Sequence, residues 1–144
     1  TCALPIGKKE GEGGGRKFFI FEILWYTLIM KVKEINIKQD MPPADVAVAL
    51  LEIEIEALKS SEYGAIKVIH GYGSHGKGGE IKKLLHERLK QLKKHGKILD
   101  YVSGEKWGEE AIQSHNVATD FPELILESDL KCYNNGITII FLKN

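Results

Sequence analysis

Residues 65–96 read AIKVIHGYGSHGKGGEIKKLLHERLKQLKKHG, and this stretch decides the fold. Ala65 to His70 is a short run carrying Ile66, Val68 and Ile69, with the breaker Gly64 before it, which predicts a strand. Five glycines follow, at 71, 73, 76, 78 and 79, too dense for any regular element because glycine loses the most backbone freedom on ordering. From Ile81 to His95 the apolar residues Ile81, Leu84, Leu85, Leu89 and Leu92 recur at helical spacing. The lysines lie largely opposite, and Gly96 is placed to cap the C-terminus. The reading is strand, glycine loop, amphipathic helix.

On the N-terminal side, Lys31 to Ile37 alternates polar and apolar with Val32 slightly off phase, predicting a half-buried strand. Pro42 and Pro43 suit a first helical turn. The segment Ala44 to Ser60 is two-sided: LEIEIEAL alternates like a strand, whereas Val46, Ala49, Leu50, Ile53 and Ala57 form a helical stripe. Its length, its alanines and the preceding prolines decide for helix. On the C-terminal side, Ile98 to Val102 is a third strand. Gly104 to Asn135 reads as an irregular acidic insertion with short helices near Glu109 and Leu124 to Leu130. Asn134-Asn135-Gly136 signals a turn before ITIIFL, a buried final strand from Ile137 to Leu142. The order β-α-β-α-β-β predicts an α/β two-layer sandwich, a mixed sheet of about four strands with two main helices.

The first 29 residues stand apart. GKKEGEGGGRK precedes FFIFEILWYTLIM, which is shorter than the roughly 20 residues a spanning helix needs and contains Glu22. No small-residue cleavage site follows it. The expectation is that residues 1–29 are read-through from upstream sequence, with the natural domain being 30–144. The rival is an extra strand or amphipathic helix packed on the domain. The two cysteines, Cys2 and Cys132, have no partner at metal-ligand spacing, which argues against a zinc site and for a reducing, cytoplasmic setting without disulfides.

The formal net charge is zero, but its distribution is uneven. Between Lys77 and Lys97 eight bases (Lys77, Lys82, Lys83, Arg88, Lys90, Lys93, Lys94, Lys97) face two acids (Glu80, Glu87). Such a local field steers an anionic ligand even when the total is balanced. The glycine loop adds to it, because successive amides free of Cβ atoms can converge on one anion and a helix N-terminus adds positive potential. Two phosphate motifs nearly fit. Gly71, Gly73 and Gly76 satisfy G-x-G-x-x-G, with Asp100 near the end of the next strand, but Lys77, Gly78 and Gly79 delay the helix. Gly71, Gly76 and Lys77 match G-x-x-x-x-G-K, but Gly78 stands where a magnesium-holding hydroxyl belongs.

The run from Gly64 to Leu89, with His70-Gly71-Tyr72-Gly73, further glycines and a basic helix, resembles the second motif of the Smr (small MutS-related) domain family. The likeness extends from Val32 to about Leu142. It implies a fold like the C-terminal domain of bacterial translation initiation factor three. It also implies DNA or RNA as partner, ribosome association in some members, and endonuclease activity in several. The second-motif His, Gly and Gly fall on His70, Gly71 and Gly73. The first motif, Leu-Asp-x-His-Gly, falls on Ile35-Asn36-Ile37-Lys38-Gln39, where Asn36 replaces the acid and Lys38 the histidine. An amide is no base, and lysine is cationic near neutral pH.

The expected phosphate-binding set is Gly71, Tyr72, Gly73, His75, Gly76, Lys77, Gly78, Gly79, Lys82 and Lys83, with His70 as the acid/base candidate. Tyr72 is the aromatic best placed to stack on a base, ahead of Tyr101 and Trp107. His86, His95 and His115 read as ordinary surface or helix residues. No cofactor is identified, although nuclease activity would admit a divalent metal. Three alternatives to backbone binding stay open: an active endonuclease, a nucleotide or dinucleotide module, and an interaction module using the acidic C-terminal third.

Overall fold

The computed structural model describes residues 29–72 and 79–143. Expectations about residues 1–28 and about Gly73, His75, Gly76, Lys77 and Gly78 fall outside the described residues. Strands β1 (Lys31–Asn36), β2 (Tyr63–Ile69), β3 (Ile98–Ser103) and β4 (Ile137–Leu142) form one mixed sheet in the order β1-β2-β4-β3. β1 and β2 are parallel, and β4 runs antiparallel to both β2 and β3. The last strand therefore lies inside the sheet. Its sequence ITIIFL has no polar face because both of its faces are covered, and all six residues are buried.

Helices α1 (Ala44–Leu58) and α2 (Gly79–Lys94) cover one face. In α2, Leu85 and Leu89 are buried and Ile81, Leu84 and Leu92 pack at the edge, the expected stripe. The helix stops at Gly96, whose φ of 72° is cheap only for glycine. The amide of Gly96 donates to the Lys93 carbonyl and that of Lys97 to the Leu92 carbonyl, the paired bonds of a Schellman cap.

Helix α1 is present, but with its faces exchanged relative to the sequence reading. Ala47, Val48, Leu51, Ile55 and Leu58 face the sheet, whereas Val46, Leu50 and Ile53 are 44%, 56% and 65% exposed. The segment carries apolar residues all round, so periodicity defines two competing stripes. The one with the larger side chains at 51, 55 and 58 takes the core.

The second correction concerns residues 104–135. After a single 3-10 turn (Gly104–Lys106) come four short helices, α3 (Glu109–Ser114), α4 (Val117–Asp120), α5 (Pro122–Ile125) and α6 (Ser128–Lys131). They bring Trp107, Ala111, Val117, Phe121, Leu124 and Leu130 onto the opposite face of the sheet, against Ala65, Ile137, Ile139 and Phe141. Burying a side chain of this size contributes about 1.5–3 kcal/mol, so the stretch is a core-forming element rather than a loose insertion. It is anchored electrostatically as well. Lys67, at the centre of β2 with its side chain 6% exposed, lies 2.9 Å from Glu127, 2.9 Å from Asp129 and 3.3 Å from Glu34. Among the described residues no helix is long and apolar enough to cross a membrane.

Candidate functional site at the strand ends

β4 is antiparallel to β2 and β3, so the carboxyl ends of β1, β2 and β3 share one edge of the sheet with the start of β4. There the segments at residues 35–39 and 70–72 become neighbours. Asn36 pairs with Ile69 in the register, and the Ile37 amide donates to the Ile69 carbonyl. Asn36 closes its own turn by accepting from the Lys38 amide at 3.0 Å. The Lys38 side chain then runs beside Gly71, where an added Cβ would come within 2.9 Å of Lys38 Cδ.

Gly71 has φ of 76°, and its amide donates to the Gly136 carbonyl at 2.9 Å. The His70 amide donates to the same carbonyl at 3.0 Å. Gly71 therefore turns the chain and packs against the Asn134–Gly136 turn, and its N–H is occupied within the protein. Tyr72 remains exposed, its hydroxyl donating to Asn134 Oδ1 at 2.6 Å. Gly79 opens α2 with φ of 62°.

His70 is 3% exposed, and both of its ring nitrogens are engaged. Nδ1 lies 3.0 Å from the Gly71 carbonyl and Nε2 lies 2.8 Å from Thr138 Oγ1. His86, from the second turn of α2, places its own Nε2 2.9 Å from the same hydroxyl. The protons follow from valence. A carbonyl only accepts, so Nδ1 of His70 carries the hydrogen and its Nε2 is the acceptor. Thr138 must then donate to His70, and its oxygen accepts the Nε2–H of His86. Two imidazoles are fixed in opposite tautomers through one buried hydroxyl.

Burial pushes His70 down to about 4, with Lys82 and His86 adding to the effect, so its ring is neutral at physiological pH. Burial lowers His86 as well, joined by Lys82 and Lys106 and opposed by Glu105. The edge of Tyr101 packs on His86 with ring centroids 5.5 Å apart.

The sequence-derived cations divide. Lys82 is mostly buried and paired with Glu105, whose carboxylate also lies near Ser103 Oγ. Lys83 is exposed, in an open groove between the first turns of α1 and α2 that also holds Asp45, Glu80 and Glu87. Lys38 and Lys106 are exposed at the strand ends. Trp107 is buried in the second core and is not a stacking platform. Asp100, the acid of the dinucleotide pattern, is held 2.8 Å from Lys93 and 2.7 Å from His115. His115 stacks on Phe141 at 4.1 Å and serves the core.

Sequence reasoning missed His86, Thr138 and Glu105. The one local signal was the i, i+4 spacing of Lys82 and His86, which puts both on one face of α2. Their partners arrive from residues far along the chain. Comparison with known proteins finds no match: no protein-family profile, curated protein or solved structure is significantly similar to this chain.

Proposed function

We propose that this chain is an Smr-like nucleic-acid-binding domain of the cytoplasm that engages the phosphate backbone of RNA or DNA at the strand ends. The observation that carries the reading is the meeting there of the two motif segments. Lys38 lies along Gly71, Lys82 bears on both His70 and His86, and Lys106 bears on His86. Local cations and a helix N-terminus favour phosphate whatever the net charge of the chain. Gly71 and Gly79 act as turn residues, and Tyr72 is the exposed ring available for stacking. Lys82 holds Glu105 as well as contributing to the field, so Lys38 and Lys106 join Lys82 and Lys83 as candidate contacts.

The test is the anisotropy of a labelled single-stranded RNA across a salt series. Neutralising several phosphates makes log K fall linearly with log salt concentration. Affinity unchanged between low and physiological salt overturns the proposal. Lys38→Ala with Lys106→Ala reduces both the affinity and the slope.

An active endonuclease is the second reading, favoured by the half-buried His86, whose Nδ1 has no partner among the described residues and can accept a proton. Asn36 and Lys38 remove the family's acid and histidine, so slow turnover is the expectation. Incubation with RNA and manganese checks it: cleavage that disappears in His70→Ala supports this reading, and intact RNA rejects it. Asp100 is already ion-paired and β4 separates β2 from β3, and both features favour a polymer backbone over a dinucleotide.

A further inference from the structure

We propose that His86, rather than the motif histidine His70, is the imidazole that meets the nucleic-acid phosphate, with Thr138 and His70 as positioning residues behind it. This rests on the phosphate-binding reading above and deepens it. His70 is buried, and its two nitrogens are committed to the Gly71 carbonyl and the Thr138 hydroxyl. A ligand reaches it only if that turn is dismantled. His86 is half-buried, with one nitrogen tied to Thr138. Its Nδ1 has no hydrogen-bond partner among the described residues.

The bonding order fixes what that nitrogen offers. The Gly71 carbonyl holds the proton on His70 Nδ1, His70 Nε2 takes the Thr138 proton, and the Thr138 oxygen takes the Nε2 proton of His86. The Nδ1 of His86 thus presents an unshared lone pair. Neutral, it accepts a proton from a donor; protonated from solvent, it donates to a phosphate oxygen while its Nε2–H remains on Thr138. The charged and titratable groups facing it are Lys82 on its own helix, Glu105 and Lys106 in the 3-10 turn, Tyr101 on β3 and His70 at the end of β2. Burial, joined by Lys82 and Lys106 and opposed by Glu105, disfavours the imidazolium in the free protein. A bound phosphate supplies the opposing charge, so binding favours protonation of His86.

Long-range nitrogen–proton NMR of the histidine rings in the intact protein tests this without a variant. Free protein shows His70 as the Nδ1–H tautomer and His86 as the Nε2–H tautomer. Addition of a uridine decanucleotide moves the His86 ring signals and raises its pKa by about one unit, as an ion in hydrogen-bonding range does, while His70 stays put. RNA that shifts the Tyr72 and Gly79 amides but leaves His86 still, or titrates His70 instead, overturns the assignment and leaves the binding proposal standing. Absence of any RNA-induced shift overturns both. Thr138→Val separates positioning from bulk structure: the fold's amide dispersion persists while the His86 ring becomes a mixture of tautomers. A His86 tautomer unchanged in that variant rejects the relay.

Discussion

Lys67, in β2, and His70, just past its end, are three residues apart and both buried, yet they meet burial in opposite ways. Lys67 keeps its charge. Desolvation works against it, but hydrogen bonds and attraction from Glu127 and Asp129 hold its pKa above the ordinary lysine value. His70 loses its charge, because burial disfavours the imidazolium, with His86 and Lys82 adding to the effect, and the Gly71 carbonyl offsets this only in part. The first arrangement is a clamp that fastens the short-helix layer to the sheet. The second is a neutral, proton-ordered pair at the edge proposed as the anion site. The chain thus separates an electrostatic fastener from a candidate site within one turn of strand.

The largest expected effect comes from breaking the fastener. Lys67→Met leaves three carboxylates facing a sheet without their cation, at a cost of about 3 kcal/mol, the low end for a broken buried pair because the carboxylates are partly solvated. Urea unfolding measures it, and a loss below about 1 kcal/mol contradicts the clamp.

The acid response of His70 is comparable. Its pKa is about 4 when folded against 6.5 when unfolded. The unfolded chain therefore binds more protons between those values, and stability present above pH 6.5 is lost as the pH falls through that window. The loss amounts to about 3 kcal/mol by linkage. His70→Gln flattens this part of the pH–stability curve, and an unchanged slope places the proton elsewhere.

Thr138→Val removes the shared hydroxyl and leaves two ring nitrogens short of a partner. It costs about 1–2 kcal/mol in the same unfolding measurement. The smallest effect belongs to Asn36→Asp. The exposed side chain keeps its bond to the Lys38 amide, so stability changes by less than about 0.5 kcal/mol. Placing an acid at position 36 makes it the sensitive probe of cleavage: gain of manganese-dependent RNA hydrolysis sharpens the nuclease reading, and none weakens it.

The framework was legible because its signals are local. Strand β2, read as Ala65 to His70 and found at Tyr63–Ile69 with Gly64 inside it, the stripe of α2, the cap at Gly96 and the last strand each follow from a few neighbouring residues, and the mixed four-stranded sheet followed from their order. Where neighbours gave two answers, the reading failed. Helix α1 is apolar on both sides, and only contact with the sheet chooses Leu51 and Ile55 over Leu50 and Ile53. The second core escaped notice because α3 to α6 are too short to show a period, though a lysine inside the apolar run AIKVIH marked the burial it would need to offset. At the site, the motif pointed to His70 and Gly71 by sequence alone. His86 became visible only when Thr138, 52 residues away, closed the link between them.

The central claim is that an anion site lies at the carboxyl ends of β1, β2 and β3. Backbone amide spectra recorded during titration with single-stranded RNA test it most directly. Shifts gathered at Lys38, Tyr72, Gly79 to Lys82 and Lys106, and fading as salt rises, are the predicted result. Shifts centred on the exposed Leu50 and Ile53 face of α1, or on α3 to α6, would contradict it.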